Sequence, residues 1–355
     1  MEQLPESINF KTLFSYDTVY SADSVEWCPH QPYKNFFVCG TYQLTEKQDE
    51  QSNRRLGRIM LFSIGKNELK LHHSLDTAAV LDQKWCPNLI NGLPILGVVN
   101  AERSIEIYKF ENKHLHLYAR YSFADNGSET LILSLDWSSG KYECQEPQLV
   151  CSDSKGNVHL LTLTLSGELN LVRSFHSHEY EAWIVGFYYW DINVIFSGGD
   201  DSLLLKHDMR CETPDVKIRH HQAGVTSFHS NKSKEFVVAS GSYDEHVHIW
   251  DIRNLKKAMS TIKMPGPLWR LKWDPFCQRF LLAACMLGGV HYVDVNSNGK
   301  FVGSYYEHKN ISYGADWCFL DSTEVKEIDS SANVIIGSCS FYDHLLCVSK
   351  TKCEF

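Results

Sequence analysis

Seven times along the chain an aromatic residue closes a short apolar stretch, at VEW (Trp27), QKW (Trp85), LDW (Trp137), VGF (Phe187), TSF (Phe228), LKW (Trp273) and ADW (Trp317). A turn and a second apolar run ending in small or polar residues follow each one: FFVCGTY, ILGVVN, LVCSDS, VIFSGGD, FVVASGS, LLAACM and VIIGSCS. Successive anchors lie 58, 52, 50, 41, 45 and 44 residues apart. A unit of that length cannot bury its own apolar faces, whereas copies stacked side by side can, and a repeat of roughly 40–45 residues is the spacing of four-stranded blades. The runs are short, rich in Val, Ile, Phe and Leu, and not strictly alternating, as strands buried on both faces should be.

The longer early spacings imply insertions, the plainest being EKQDEQSNRR (Glu46 to Arg55), whose charge and polarity predict a solvated loop. Unit five, HHQAGVTSFHSNKSKEFVVASGSYDEHVHIWDIRN, resembles a WD repeat and predicts a tetrad of His221, Ser240, Asp244 and Trp250. Unit four has His207 where the tryptophan would stand, and unit seven has Ser349. The segment from Phe10 to Tyr16 reads as a strand that completes the last blade and so removes an open sheet edge. The fold expected is all-β: one seven-bladed WD-repeat β-propeller over residues 1–355, closed by an N-terminal strand at 10–16. Its blades fall near 20–64, 76–110, 129–163, 176–210, 220–254, 264–295 and 308–350.

Composition narrows the function classes. With 43% hydrophobic and 22% charged residues the chain can bury a sizeable core. A net charge of −9 argues against a nucleic-acid groove, which needs a clustered basic surface. No apolar run approaches the roughly 18 residues of a membrane span, and MEQLPESINFK lacks the basic start and apolar stretch of a signal peptide, so a cytoplasmic protein without membrane contact is expected. Twelve cysteines include no C-x-x-C pair, and several, such as Cys39 and Cys151, end apolar runs, which predicts buried thiols rather than a disulfide scaffold. The histidine pairs His114/His116, His176/His178 and His246/His248 have no cysteine pair at finger spacing, so neither a metal nor another cofactor is expected.

In a blade of this kind the loop entering the inner strand and the loop between the second and third strands open on one face, so function should concentrate at that rim. Asp244 in GSYDEH, Asp201 in SGGDD and Asp343 in FYDH belong to the turn itself, accepting backbone N–H bonds. Their neighbours are not required by a scaffold: Ser242, Tyr243, Glu245 and His246 in unit five, Asp200 in unit four, Tyr342 and His344 in unit seven. A second group comes from the loops entering the inner strands: Glu181 and Trp183, Trp269 and Arg270, Tyr313 and Asp316. Trp183 and Trp269 both stand four residues before their anchors and should point to comparable places near the axis.

Taken together, ADSVEWCP, CGTYQL, LSLDWS, EAWI, SGGDD, GSYDEH, LLAACM, YGADW and CSFYDH resemble the diphthine methylesterase family, WD-repeat enzymes of the eukaryotic diphthamide pathway. The resemblance runs from about residue 10 to 350, with EAWI, YGADW and CSFYDH its most specific motifs. It implies hydrolysis of the methyl ester of methylated diphthine on translation elongation factor 2. The product, diphthine, is left for later amidation.

The family's substrate side chain carries a trimethylammonium group, which has no hydrogen to donate and is held by aromatic faces and carboxylates. Trp183, Trp269, Tyr243 and Tyr313 are candidates for such a cage, with Asp200, Asp316 and Glu181 as sources of negative charge. No G-x-S-x-G and no H-E-x-x-H occurs, so water activated by a histidine, His246 or His344, is the simplest mechanism. A Ser242–His246 nucleophile pair is the alternative, and Cys339, in register with Ser240, a weaker one. The implied partner is elongation factor 2 carrying methylated diphthine, with other enzymes of the pathway as candidates at the outer edges; a monomer is expected. Two non-catalytic readings stand beside the hydrolase: a WD-repeat adaptor that docks a protein on its top face, and a reader that binds the trimethylated side chain without cleaving it.

Overall fold

Each of seven sheets is built on four antiparallel strands, one sheet carrying a short fifth strand at its edge, and the sheets follow one another in chain order around an axis. The structure is a computed structural model and describes residues 8–45, 55–124, 129–211, 216–297 and 299–352. The innermost strands are Ser21–Trp27, Val80–Trp85, Ile132–Trp137, Ile184–Phe187, Val225–Ser230, Leu268–Trp273 and Ser312–Trp317, which define blades 1 to 7. Lys11–Asp17 pairs antiparallel with Leu345–Thr351 and supplies the outer strand of blade 7, as the sequence predicts for a ring closed by its N-terminus. Just before it, Ile8–Asn9 pairs parallel with Lys300–Tyr305, so the chain start stitches blade 6 to blade 7.

The core lies between blades. Each hydrophobic cluster joins two neighbouring sheets, from blades 7 and 1 around Trp27 and Cys339 to blades 6 and 7 around Tyr292 and Trp317. The anchor tryptophans explain why the repeat is legible. Trp85 Nε1 donates to Glu26 O at 3.1 Å, Trp137 to Lys84 O at 3.0 Å, Trp273 to His229 O at 3.2 Å and Trp317 to Lys272 O at 3.1 Å. Each acceptor is the residue just before the preceding blade's anchor, so one indole fills the gap between two blades and ties their inner strands. Its burial contributes at most about 4–6 kcal/mol.

That rule corrects unit five. Trp273 bonds His229 O, and Ser230, not Phe228, pairs with the second residue of the next strand, Val238. Ser230 therefore holds the anchor position, while Phe228 turns sideways to stack on Phe196 at 4.7 Å. Both adjoining spacings become 43 residues.

The predicted tetrad is present. His221 Nδ1 lies 2.9 Å from Asp244 Oδ2 and its Nε2 2.8 Å from Ser240 Oγ, which also accepts Trp250 Nε1–H at 2.9 Å. Blade 4 repeats it with His178, Asp201 and Ser197, and His207 Nε2 takes the indole's place 2.8 Å from Ser197 Oγ. In blade 7 His308 Nε2 meets Ser338 Oγ at 2.8 Å, so Ser338 rather than Cys339 corresponds to Ser240; the turn there is one residue longer. Cys339 is fully buried.

The repeat units read from the sequence stop before the outer strands, such as Glu68–Ala78, His114–Ser122 and Leu169–His176. Those strands alternate between solvent and blade and carry no apolar run to mark them. Of the polar insertion Glu46 to Arg55, residues 46–54 lie outside the described residues, and Arg55 opens the strand Arg55–Gly65 rather than ending a loop. One short helix, Ser322–Ile328, interrupts blade 7, opened by a reciprocal capping box between Asp321 and Glu324. Eight of the free cysteines are buried, whereas Cys211 and Cys277 are exposed. No helix among the described residues is long and apolar enough to cross a membrane.

Candidate functional site

The inner strands share an irregularity that sets the site. In six blades the pairing with the second strand slips near its start: between Ala22 and Ser24, Val80 and Asp82, Ile132 and Ser134, Val225 and Ser227, Leu268 and Arg270, and Ser312 and Ala315. A bulge leaves a residue out of the ladder and re-aims its side chain. Counted four residues before each anchor, the positions at this level are Asp23, Leu81, Leu133, Trp183, Thr226, Trp269 and Tyr313. They form one ring at the mouth of the axis, aromatic on blades 4, 6 and 7 and carboxylic on blade 1.

The ring's aromatic side is continuous. Trp183 and Trp269 cross from non-adjacent blades to 5.6 Å between ring centroids, edge to face, over the small Thr226. Tyr243, from the second turn of blade 5, stands over them at 6.4 Å from Trp183 and 6.1 Å from Trp269. Trp269 then meets Tyr313 at 4.6 Å, Tyr313 meets Phe341 at 4.9 Å, and Phe341 meets Tyr42 at 5.8 Å. Exposed Asp200 accepts the Trp183 indole N–H at 2.9 Å, and its own backbone N–H donates to Glu181 O at 2.9 Å. Tyr243 is held in its neutral form by burial, then by the negative charge of Asp200 and Glu181. Burial, then Asp23, does the same for Tyr313.

One residue below, the guanidinium of Arg270 crosses the channel to Asp82, Nη2 to Oδ1 at 3.0 Å, and also donates to Leu81 O at 3.3 Å. Asp23, 3% exposed, sits above this bar, its carboxyl pushed up to about 8 by burial; Arg270 opposes the shift and Asp82 adds to it. Lower still, Glu26, Lys84, Asp136, His229, Lys272 and Asp316 line a charged cavity of about 410 Å³ that opens on the opposite face.

Of the ten sequence-predicted residues, six gather at this mouth and four lie elsewhere. Trp183, Trp269, Tyr243 and Tyr313 come together, and Asp200 and Glu181 flank them. Asp316 does not join them: one residue from its anchor, it is buried at the lower level, bound to Lys272 at 3.0 Å and accepting Trp27 N–H at 2.7 Å. Ser242 and His246 do not form a nucleophile pair. Ser242 Oγ donates to Ala223 O at 3.0 Å and accepts Asp244 N–H at 3.1 Å, which closes the turn. His246 Nδ1 lies 2.7 Å from Asp244 O, and its ring runs parallel to His248 at 6.1 Å, on the third strand of the blade. His344, at φ 56°, gives its carbonyl to Thr18 N–H at 2.9 Å and to Thr18 Oγ1 at 3.0 Å, locking the end of the closing strand. Neither histidine is in ring contact with the aromatic arc.

Asp23, Asp82, Phe341 and Tyr42 are additions to the sequence-predicted set. Asp23 carried a readable signal, since the count that aligns Trp183 with Trp269 also selects it. As for metal ligands, His221, Asp244 and His248 offer three atoms within 4.8 Å of one another. Both His221 nitrogens are occupied by the tetrad, and His248 Nδ1 lies 2.9 Å from Thr261 Oγ1, so the group buttresses the blade.

Fold and mouth together define a seven-bladed WD-repeat propeller whose axis carries an aromatic, acid-flanked mouth. No family model matches the chain. It is 38% identical to a mouse protein named diphthine methyltransferase, over 87% of this chain and 70% of that protein. The human protein of the same name is 36% identical over 87% and 75%, and a Dictyostelium discoideum protein named diphthine methyltransferase homolog is 33% identical over 93% and 96%. The chain belongs to this diphthine methyltransferase family of the diphthamide pathway.

Proposed function

We propose that this protein hydrolyses the methyl ester of methylated diphthine on translation elongation factor 2, producing diphthine and methanol. The observation that carries the reading is the run of ring contacts from Tyr243 through Trp183 and Trp269 to Tyr313, with Asp200 bound to the Trp183 indole. A trimethylammonium group cannot donate a hydrogen bond, so a site selective for it must offer ring faces and negative charge in a partly dry place, where each cation–π contact contributes about 0.5–2 kcal/mol. An adaptor surface has no need for two indoles converging from non-adjacent blades. Exposed Val19, Tyr180, Leu287 and Tyr342 on turns around the mouth give a folded partner apolar footing while its side chain enters.

The test is purified protein incubated with elongation factor 2 carrying methylated diphthine and no methyl donor. Stoichiometric methanol with loss of one methyl from the factor supports hydrolysis. Methyl transfer that requires an added donor supports the reaction in the relatives' name, and tight binding without methanol supports the reader or adaptor.

A further inference from the structure

Resting on that reading, we propose that Asp23 is the general base of the hydrolysis, taking a proton from the attacking water, with the Trp269 indole N–H facing the ester oxygen. Asp23 is the one carboxylate in the ring that holds the aromatic arc, beside Tyr313 of the neighbouring blade. The bulge between Ala22 and Ser24 takes it out of the ladder and turns it toward the axis. Its Oδ1 is buried and has no hydrogen-bond partner. The same is true of Trp269 Nε1, two blades away on the same ring, and of Ser312 Oγ on the blade 7 strand between them. An unpartnered buried polar atom costs about 1–3 kcal/mol, and such atoms gathered at one mouth mark where a substrate and its water supply the bonds. One of them accepts and another donates, which is what attack on a carbonyl requires.

The Arg270–Asp82 bar lies beneath and fixes the floor, so a side chain entering between the indoles stops with its ester at the level of Asp23. The water oxygen bonds to the carbonyl carbon as the π pair moves onto the carbonyl oxygen, and the water's proton passes to the Asp23 carboxylate. Collapse re-forms the carbonyl and breaks the bond to the methoxy oxygen, which leaves as methanol with the proton from Asp23. The new acid gives its proton to solvent.

The groups facing Asp23 are Arg270 on blade 6, Asp82 on blade 2, and Tyr313 and Cys339 on blade 7. Burial outweighs the arginine and holds the carboxyl near 8. A base must be ionised, so kcat/KM falls as pH drops below that value, and a cation bound in the arc shifts the limb in kcat to lower pH.

The experiment measures methanol release from methylated elongation factor 2 by wild type, D23N, H246A and H344A between pH 6 and 9, with binding measured at pH 6.5, where Asp23 is itself protonated. D23N is expected to lose about 10²–10⁴-fold in kcat, to bind within about threefold of wild type, and to lose the limb near pH 8. A loss below tenfold, or a fall in H246A or H344A that D23N does not share, overturns the assignment while the hydrolase reading stands. The wild-type profile needs no variant to fold, and the absence of a limb between pH 7 and 9 also overturns it. If the wild type releases no methanol, the proposed function itself falls, and the assignment with it.

Discussion

Arg270 and Asp82 meet across the propeller axis, 188 residues apart in sequence and on blades that two others separate. Both are nearly inaccessible to solvent, so each depends on the other's charge, and removing one leaves an uncompensated buried ion. R270A or D82A should each lower stability by about 3–5 kcal/mol, read from chemical denaturation. The double variant R270M/D82L should recover most of the loss. If R270A unfolds with the wild type, the bar does not hold the ring.

The arc separates charge recognition from shape. W183A and W269A should each weaken binding of betaine methyl ester by about 2- to 30-fold, the equivalent of one desolvated cation–π contact. Phenylalanine at either place should restore part of it. Methyl 3,3-dimethylbutanoate, which has the same shape without the charge, should show a smaller dependence on both indoles. Calorimetric titration of the two ligands makes the comparison, and equal losses for both would leave only apolar contact.

Acid should unfold the ring through its histidines. Burial lowers His207 and His248 to about 3 and His308 to about 4. A histidine whose folded value is depressed takes up its proton more readily when unfolded, so stability is full above about 6.5 and is lost as pH falls toward the folded value. Gln in place of His207 can still meet Ser197 Oγ but cannot titrate. H207Q should therefore lose about 1–2 kcal/mol less than wild type between pH 7 and 5. Parallel melting curves over that range would show that His207 is protonated in the fold.

How far such features could be read from sequence depends on whether a single side chain carries the signal. The anchors were legible because each indole performs the same task at each blade junction, and the tetrad because its spacing is local. In unit five the aromatic pattern points to Phe228, two residues before the small Ser230 that holds the anchor position. Outer strands such as Leu169–His176 carry no apolar run, and alternation alone sets them apart from loops. Asp23 is countable from Trp27, but nothing else in ADSVEW sets it apart from the polar residues around it. The Arg270–Asp82 bar and the approach of Phe341 to Tyr42 join distant parts of the chain, and only closure of the ring creates them.

Asp23 also makes a prediction about stability that no assay of turnover is needed to test. Its carboxyl is raised to about 8 in the fold, against roughly 3.9 in an unfolded chain. The folded state thus holds this proton more tightly, so the contribution of Asp23 is most favourable below about pH 4 and declines as pH climbs through 8, the reverse of a salt-bridged aspartate. Asparagine keeps the shape and cannot ionise. D23N should match wild type near pH 5 and exceed it by about 2–4 kcal/mol at pH 8.5, seen as a rising difference in denaturation midpoints. A constant difference across that range would mean that Asp23 is ionised throughout, held charged by Arg270, and would place it with Asp82 as a partner of the bar rather than as a group able to exchange a proton at neutral pH.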